Sequence, residues 1–310
     1  MTNKVVVTGG AGFIGSHLTE ELVKRSYHVV IYDDLSTGKM ENVDLLLKNS
    51  NVEFIRGTVT ELLPLQKLFR GCEYIFHLAA VSSVPRSIAN PLASHNVNAT
   101  GTLNVLLAAR DNGVKKVIYS SSASVYGDSP TLPKREDMLP NPKSPYAVAK
   151  LAGEYYCRVF QEVYKLPAVS LRYFNVYGPG QDPDSQYAAV IPRFIKEISG
   201  GKSPVIFDDG EQTRDFTFVK DAVAANILAA LSDACGVFNI SQGQRITINQ
   251  LVKLIRELVG NRVEPIHQEP RAGDIRHSLA DISKAKAFGY KPGYDLKSGL
   301  AETIRWFHDK

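Results

Sequence analysis

Short apolar runs and helix-like spacings alternate along the first half of the chain. Val5, Val6 and Val7 lead into glycines at 9, 12 and 15, and Phe13, Ile14, Leu18, Leu22 and Val23 follow at helical spacing. The pattern predicts a buried strand, a tight turn and a helix. Apolar bursts at 29–32, 52–55, 74–78 and 116–120 predict further strands, with helical stretches at 62–70 and 93–112 between them. Alternation of this kind predicts a doubly wound α/β fold, a parallel sheet with helices on both faces. Ligands then sit beyond the carboxyl ends of the strands.

From about Asn175 the texture changes, with Gly178, Pro179, Gly180, Pro183, Pro192, Gly200, Gly201 and Pro204 in close succession. A helical segment at 219–231 and a strand at 237–240 return to the first layer, and helices at 248–259 and 297–307 complete the chain. The expected organisation is a first domain of 1–174 plus about 217–241, and a smaller, discontinuous second domain of 175–216 and 242–310.

Bulk properties narrow the function classes. The 310 residues are 44% hydrophobic and 22% charged, with a net charge of +4 and no basic block. That leaves no nucleic-acid footprint. Cys72, Cys157 and Cys235 are scattered without metal-ligand spacing and read as thiols in a reducing compartment. No run approaches transmembrane length. The first strand opens at Lys4 with no signal segment before it, so the expectation is a cytoplasmic protein without membrane partners.

The glycines follow a GxxGxxG spacing rather than GxGxxG. They let backbone approach a pyrophosphate at a helix N-terminus, although a plain strand–turn–helix carries the same signal. Asp33 ends the second strand, about twenty residues on, where a carboxylate accepts both hydroxyls of an adenosine ribose. It would repel a 2′-phosphate and so favours NAD over NADP; a turn-capping aspartate is the alternative. Residues 34–38 form a polar loop beside it. Downstream, Ser120, Ser121, Ser122 and Ser124 follow the fifth strand. Tyr146 and Lys150 are four apart on one helix face, after a Ser144-Pro145 helix start. A free phenol titrates near 10 and is a poor base at neutrality. A nearby ammonium favours the phenolate, which could then take a proton from a hydroxyl.

Together these residues resemble the extended short-chain dehydrogenase/reductase superfamily. The most specific stretches are 8–15, 77–80, 120–127, 146–150, 172–178 and 214–216. Within it the chain is similar to UDP-glucose and UDP-N-acetylglucosamine 4-epimerases. The resemblance implies a Rossmann-type sheet holding NAD. Gly9, Gly12, Phe13 and Ile14 would lie at the pyrophosphate, and Asp33, Asp34, Leu35, Ser36 and Gly38 around the adenosine. Leu78, Ala79 and Ala80 would line the cofactor trough, together with Val59, Ser120 and Tyr173, while Asn98 would hydrogen-bond within the helix layer. Relatives place an Asp against the adenine where this chain has Thr58. Ser122, Tyr146 and Lys150 form the implied catalytic set. Tyr146 would take the 4-OH proton and NAD the C4 hydride, and hydride would return to the opposite face of a turned 4-keto sugar.

The implied UDP-sugar site uses Asn175, Ala189 and Val190 near phosphates and uridine, with Val205 and Phe207 by the uracil. Arg214 and Arg271 clamp the diphosphate, and Asp274 follows in the same motif. Ser82, Ser83, Ser122, Ser124 and Tyr146 face the sugar. Ser278 stands where a bulky aromatic restricts some relatives to plain hexoses, so an N-acetyl group has room. No metal is expected. Ala123 and Ser124 stand where 4,6-dehydratases carry acids, which argues against dehydration. UDP-glucuronate remains an alternative substrate, and a non-catalytic NAD-binding sensor a more remote one. The resemblance also implies a homodimer formed by the helices at 93–112 and 146–164, although packing inside one subunit explains the same residues.

Overall fold

The computed structural model describes residues 3–183, 189–270 and 275–309. Its centre is a seven-stranded, all-parallel sheet: β1 (Lys4–Thr8), β2 (His28–Asp33), β3 (Val52–Arg56), β4 (Cys72–His77), β5 (Lys116–Ser122), β6 (Ala168–Tyr173) and β7 (Gly236–Ile240). The order β7-β6-β5-β4-β1-β2-β3 is that of a Rossmann-type doubly wound sheet. The chain winds outward from β1 through β2 and β3, then crosses to β4 on the other side. Thr8 and His77, the last residues of β1 and β4, lie side by side at that switch. A crevice opens there because the following connections diverge.

The strands form because β-branched residues are covered on both faces. Val5, Val6, Val7, Val29, Val30 and Ile31 have no exposed surface. Leu18 and Leu22 anchor the helix Phe13–Lys24 on one face, and Val105, Leu106 and Phe160 fill the other. A strand at β6 is not evident from the apolar pattern. Ser170 and Arg172 interrupt the run, yet every residue of Ala168–Tyr173 is buried, because Arg172 is ion-paired inside the protein.

The stretch 93–112, expected as one helix, comprises Pro91–His95, a wider π turn at Asn96–Thr100, and Gly101–Asp111. The π turn carries Asn98, whose amide donates to the Val81 carbonyl and accepts from the Val81 N–H. That clamps the loop after β4.

The second layer packs the helices Val190–Ser199, Ile248–Val259 and Leu296–His308 around Phe194, Ile195, Leu251, Ile255 and Leu300. Thr247 and Gln250 form a capping box on the middle helix, and Gly260 closes it in a left-handed conformation. Three two-stranded ribbons join this layer: Val176–Tyr177 with Thr217–Phe218, Thr213–Asp215 with Arg245–Thr247, and Val205–Phe207 with Ile266–Gln268. Among the described residues no helix is long and apolar enough to cross a membrane.

Candidate active site

Three cavities lie in series, the first two beyond the carboxyl ends of the strands and the third in the second layer. The first, about 290 Å³, runs from Asp33 past the glycines to Tyr146 and Lys150. The second, about 420 Å³, shares Phe13, Ile14, Ser82, Ser121, Tyr146 and Tyr173 with the first. The third, about 250 Å³, shares Asn175, Val176 and Arg214 with the second. Tyr146 is therefore a wall common to the first two, and Arg214 a wall common to the last two.

The first cavity is built mainly from backbone. Gly9 has φ +72° and packs so closely that an added Cβ would stand 2.6 Å from the Ala79 nitrogen. At Gly15 the added Cβ would stand 2.2 Å from the Gly9 carbonyl oxygen. The first contact presses the turn against the loop after β4, and the second closes the turn on itself. No side chain caps the helix Phe13–Lys24, so its first-turn N–H groups point to a ligand or to water. Asp33 accepts from the Ala11 N–H at 3.0 Å and from the Leu35 N–H at 2.8 Å, leaving acceptor capacity on both oxygens. Burial raises its pKa, and those two N–H groups oppose the rise. An uncapped helix end, a glycine turn and a buried carboxylate fit a dinucleotide, with its pyrophosphate over the turn and a ribose at Asp33.

Of the residues expected around that ligand, Gly9, Gly12, Phe13, Ile14, Asp33, Asp34, Ser36, Thr58, Val59, Leu78, Ala79, Ala80, Ser120, Tyr146, Lys150 and Tyr173 line the first cavity. Leu35, Gly38 and Asn98 do not. Leu35 turns the chain at φ +62° and Gly38 packs on the Asp33 carboxylate, so both shape the acid rather than the cavity. The Thr58 hydroxyl lies 3.0 Å from that of Thr60 and accepts the Thr60 N–H, which commits it to its own turn. Tyr32, Thr37, Gly57 and Val97 also line the cavity. Thr37 belongs to the polar loop at 34–38; the sequence spacing gave no sign of the other three, which arrive from strand ends and a helix outside the motifs.

Tyr146 and Lys150 reach the cavity from the helix Pro145–Tyr164, which Ser144 caps by accepting the Ala147 N–H. The Lys150 Nζ donates to the Ser120 carbonyl at 2.6 Å and stands 5.9 Å from the centre of the Tyr146 ring. Burial draws its pKa down to about 7, with Glu154 opposing. Tyr146 differs from the expectation of an acidified phenol. Burial raises its pKa, and only the Ser122 hydroxyl beside it works the other way. At this separation desolvation outweighs the pull of the ammonium. Ser122 is held in place by the Ser124 N–H, which donates to its Oγ at 3.1 Å.

Ser82, Ser122, Ser124, Tyr146, Asn175, Arg214 and Ser278 line the second cavity, with Ala123, Lys134 and His277. Ser83 does not; it caps the short helix Val84–Ala89 by accepting the Arg86 N–H. Asn175, Ala189, Val190, Val205, Phe207 and Arg214 line the third, where Arg193, Phe194, Gln212 and Phe216 join them. Arg271 and Asp274 lie outside the described residues.

Residues 5–241 match the NAD dependent epimerase/dehydratase family. The chain belongs to that family. It is 39% identical, over 99% of both sequences, to the UDP-glucose 4-epimerase of Mycolicibacterium smegmatis. The UDP-N-acetylglucosamine 4-epimerase of Methanobrevibacter ruminantium, solved with UDP-N-acetylmuramic acid, superposes with a TM-score of 0.95 at 45% identity, over 99% of this chain and 98% of that one. The UDP-glucuronic acid 4-epimerase of Bacillus cereus, solved with UDP-glucuronic acid and NAD, gives 0.91 at 34% identity over 99% of both.

Proposed function

We propose that this family member is an NAD-dependent UDP-sugar 4-epimerase, an isomerase that inverts C4 through a transient 4-keto sugar. The observation that carries the reading is the wall shared by the first two cavities. Tyr146 touches both, so a sugar carbon in the second can face a nicotinamide in the first. Asp33 and the glycine turn hold the adenosine end, and Lys150 holds the other ribose. When bound, NAD supplies hydride acceptance and return, with a positive ring charge beside the phenol.

The protein residues handle the proton and the geometry. Tyr146 takes the proton of the 4-OH and returns it after the sugar turns. Ser122, its oxygen fixed by the Ser124 amide, donates to the reacting oxygen. Arg214 and Asn175 grip the diphosphate at the junction of the last two cavities, so the sugar pivots while the nucleotide stays. The uracil lies by Val205 and Phe207. Ala123 and Ser124 offer no acid to expel water from C6, and the chemistry stops at epimerisation.

Small side chains at Ser82, Ala123, Ser124 and Ser278 surround the sugar. They leave room for a C2 N-acetyl group and favour UDP-N-acetylglucosamine and its C4 epimer, with UDP-glucose as a smaller substrate. A second reading rests on Lys134, a buried cation in the same wall whose ammonium donates to the Ser129 carbonyl. A cation there would suit the carboxylate of UDP-glucuronate. An NMR time course with UDP-glucose, UDP-N-acetylglucosamine and UDP-glucuronate, without added cofactor, decides among them. Turnover of UDP-N-acetylglucosamine is the expected result, and inertness toward all three would refute the assignment.

We further propose a homodimer. Val148, Tyr155, Val159 and Val163 are 53%, 47%, 40% and 63% exposed at helical spacing on Pro145–Tyr164, with Ile88 and Leu92 also exposed. A subunit mass in light scattering, or a mass unaffected by Val163→Glu, would count against it.

A further inference from the structure

Behind Lys150 lies a buried ion pair that the chemistry above leaves unused. Glu154 is one helical turn beyond Lys150 and about two beyond Tyr146, so the three share a face. Its carboxylate receives the fork of Arg172, Nε to Oε1 at 2.8 Å and a terminal nitrogen to Oε2 at 2.7 Å. The two side chains are 3% and 4% exposed. The Ser121 hydroxyl donates to the same Oε1, and the Arg172 guanidinium lies 4.6 Å over the Tyr126 ring. Ser121 stands between the two serines that the site uses. The carbonyl of Ser120 accepts from Lys150, and the hydroxyl of Ser122 lies beside Tyr146.

We propose that Glu154 is a positioning residue for Lys150: through Ser121 it locks the strand end that receives the ammonium, and its ion-paired carboxylate offsets the ammonium's burial. The inference rests on the reading of Tyr146 and Lys150 as the working pair. A buried ion pair is no better for stability than well-packed apolar side chains, so its presence beneath a catalytic helix asks for another role. The other groups around Lys150 carry no charge near neutrality. Burial holds His77 down to about 3 and pushes the Cys157 thiol up to about 12. It also raises Tyr146, and it raises Tyr119, whose ring lies 5.0 Å from the ammonium, well above the usual range. Arg172 is not among the groups that shift Lys150. The carboxylate of Glu154 is left as the main influence that raises Lys150 against its burial.

The test compares the wild-type enzyme with Ser121→Ala and with the paired variant Glu154→Gln/Arg172→Gln, which leaves neither partner of the ion pair as a lone charge. On UDP-N-acetylglucosamine the paired variant should lose roughly 10- to 100-fold in kcat with KM changed by less than about threefold. Activity needs the ammonium and is lost as pH rises through its pKa. Without the carboxylate that loss should begin about one pH unit lower. NMR of ¹³C-labelled lysine, with the Lys150 signal assigned by Lys150→Met, should show the same acid shift. Ser121→Ala should lower kcat about tenfold, with the melting temperature lowered only as far as the loss of one buried hydrogen bond requires. A merely structural pair would lower the melting temperature and leave the pH profile and the Lys150 titration unmoved, and that result overturns the proposal. If the paired variant does not fold, an unchanged kcat in Ser121→Ala overturns it alone. If the wild type acts on no UDP-sugar, the functional reading fails, while the lysine titration still reports on Glu154.

Discussion

The cavity that fits the cofactor and the one proposed for uridine are built in opposite ways. The first is made of strand ends, a glycine turn and backbone N–H groups, with Asp33 pinned by two amides. The second is made of side chains on short ribbons and one helix, with Phe207, Arg193 and Arg214 coming from separate segments. Backbone sites are fixed by the fold and tolerate little change at a few glycines. Side-chain sites are fixed by individual contacts and can be altered one residue at a time. The sugar cavity between them borrows from both, and its wall at Tyr146 is where a substitution should act on chemistry without disturbing either neighbour.

The largest effect is expected at that wall. Tyr146→Phe should reduce kcat by roughly 10²–10⁴-fold while NAD content and UDP affinity hold, because only the proton carrier is lost. An epimerase assay by NMR, with NAD measured in the purified protein, checks both halves. Next comes the uridine side. Arg214→Ala removes a charged donor at the junction of two cavities and should weaken UDP binding by about 1.5–3 kcal/mol, read by calorimetry, with NAD content unchanged. Loss of NAD in this variant would show that the two sites are not separable. Gly9→Ala is the mirror case. A side chain at φ +72°, and 2.6 Å from the Ala79 nitrogen, should cost about 1–3 kcal/mol of stability and empty the protein of NAD. UDP binding should survive it.

The same contrast explains what the sequence could show. The strand ends and the glycine turn announce themselves, because buried β-branched runs and glycines follow from backbone geometry at short range. Asp33 was legible for that reason. β6 was not, because Arg172 looks like a surface residue until Glu154, on another element, neutralises it. Ser83, expected at the sugar, caps a helix and does not line the second cavity, because a serine that caps a helix and one that faces a ligand have the same local sequence. Gln212 and Arg193 reach the third cavity through tertiary packing alone, which leaves no spacing signal. The phenol was expected to be acidic from its lysine neighbour, and only the burial of both side chains reverses that balance.

A pH experiment sharpens the comparison at Lys150. The folded protein holds this lysine at about 7, below its ordinary value of 10.5. Between those values the unfolded chain binds the additional proton, so stability rises with pH there, by at most about 1.4 kcal/mol per pH unit. Below about pH 7 the burial cost is fully present. Cofactor-stripped protein should therefore gain urea resistance from about pH 7.5 to 9.5 relative to Lys150→Met. Parallel curves for the two proteins would mean that the ammonium is solvated.

The smallest effect is expected at the adenine end, where the two ways of building a site meet in one residue. Thr58 lies in the backbone-built cavity, yet the family resemblance gives its side chain the task of reading the base. Its hydroxyl is already engaged with Thr60, and its carbonyl accepts from Tyr32. Thr58→Ala should then cost only the turn, about 0.5–1.5 kcal/mol of stability for each of its two hydrogen bonds to Thr60, and leave the rate of NAD loss within about twofold of wild type. Thr58→Asp would supply a free carboxylate beside the cleft and should slow that loss. If Thr58→Ala instead sheds NAD as Gly9→Ala does, the hydroxyl leaves Thr60 for the adenine when the cofactor binds. The cofactor cavity would then depend on a single side chain, as the uridine pocket does.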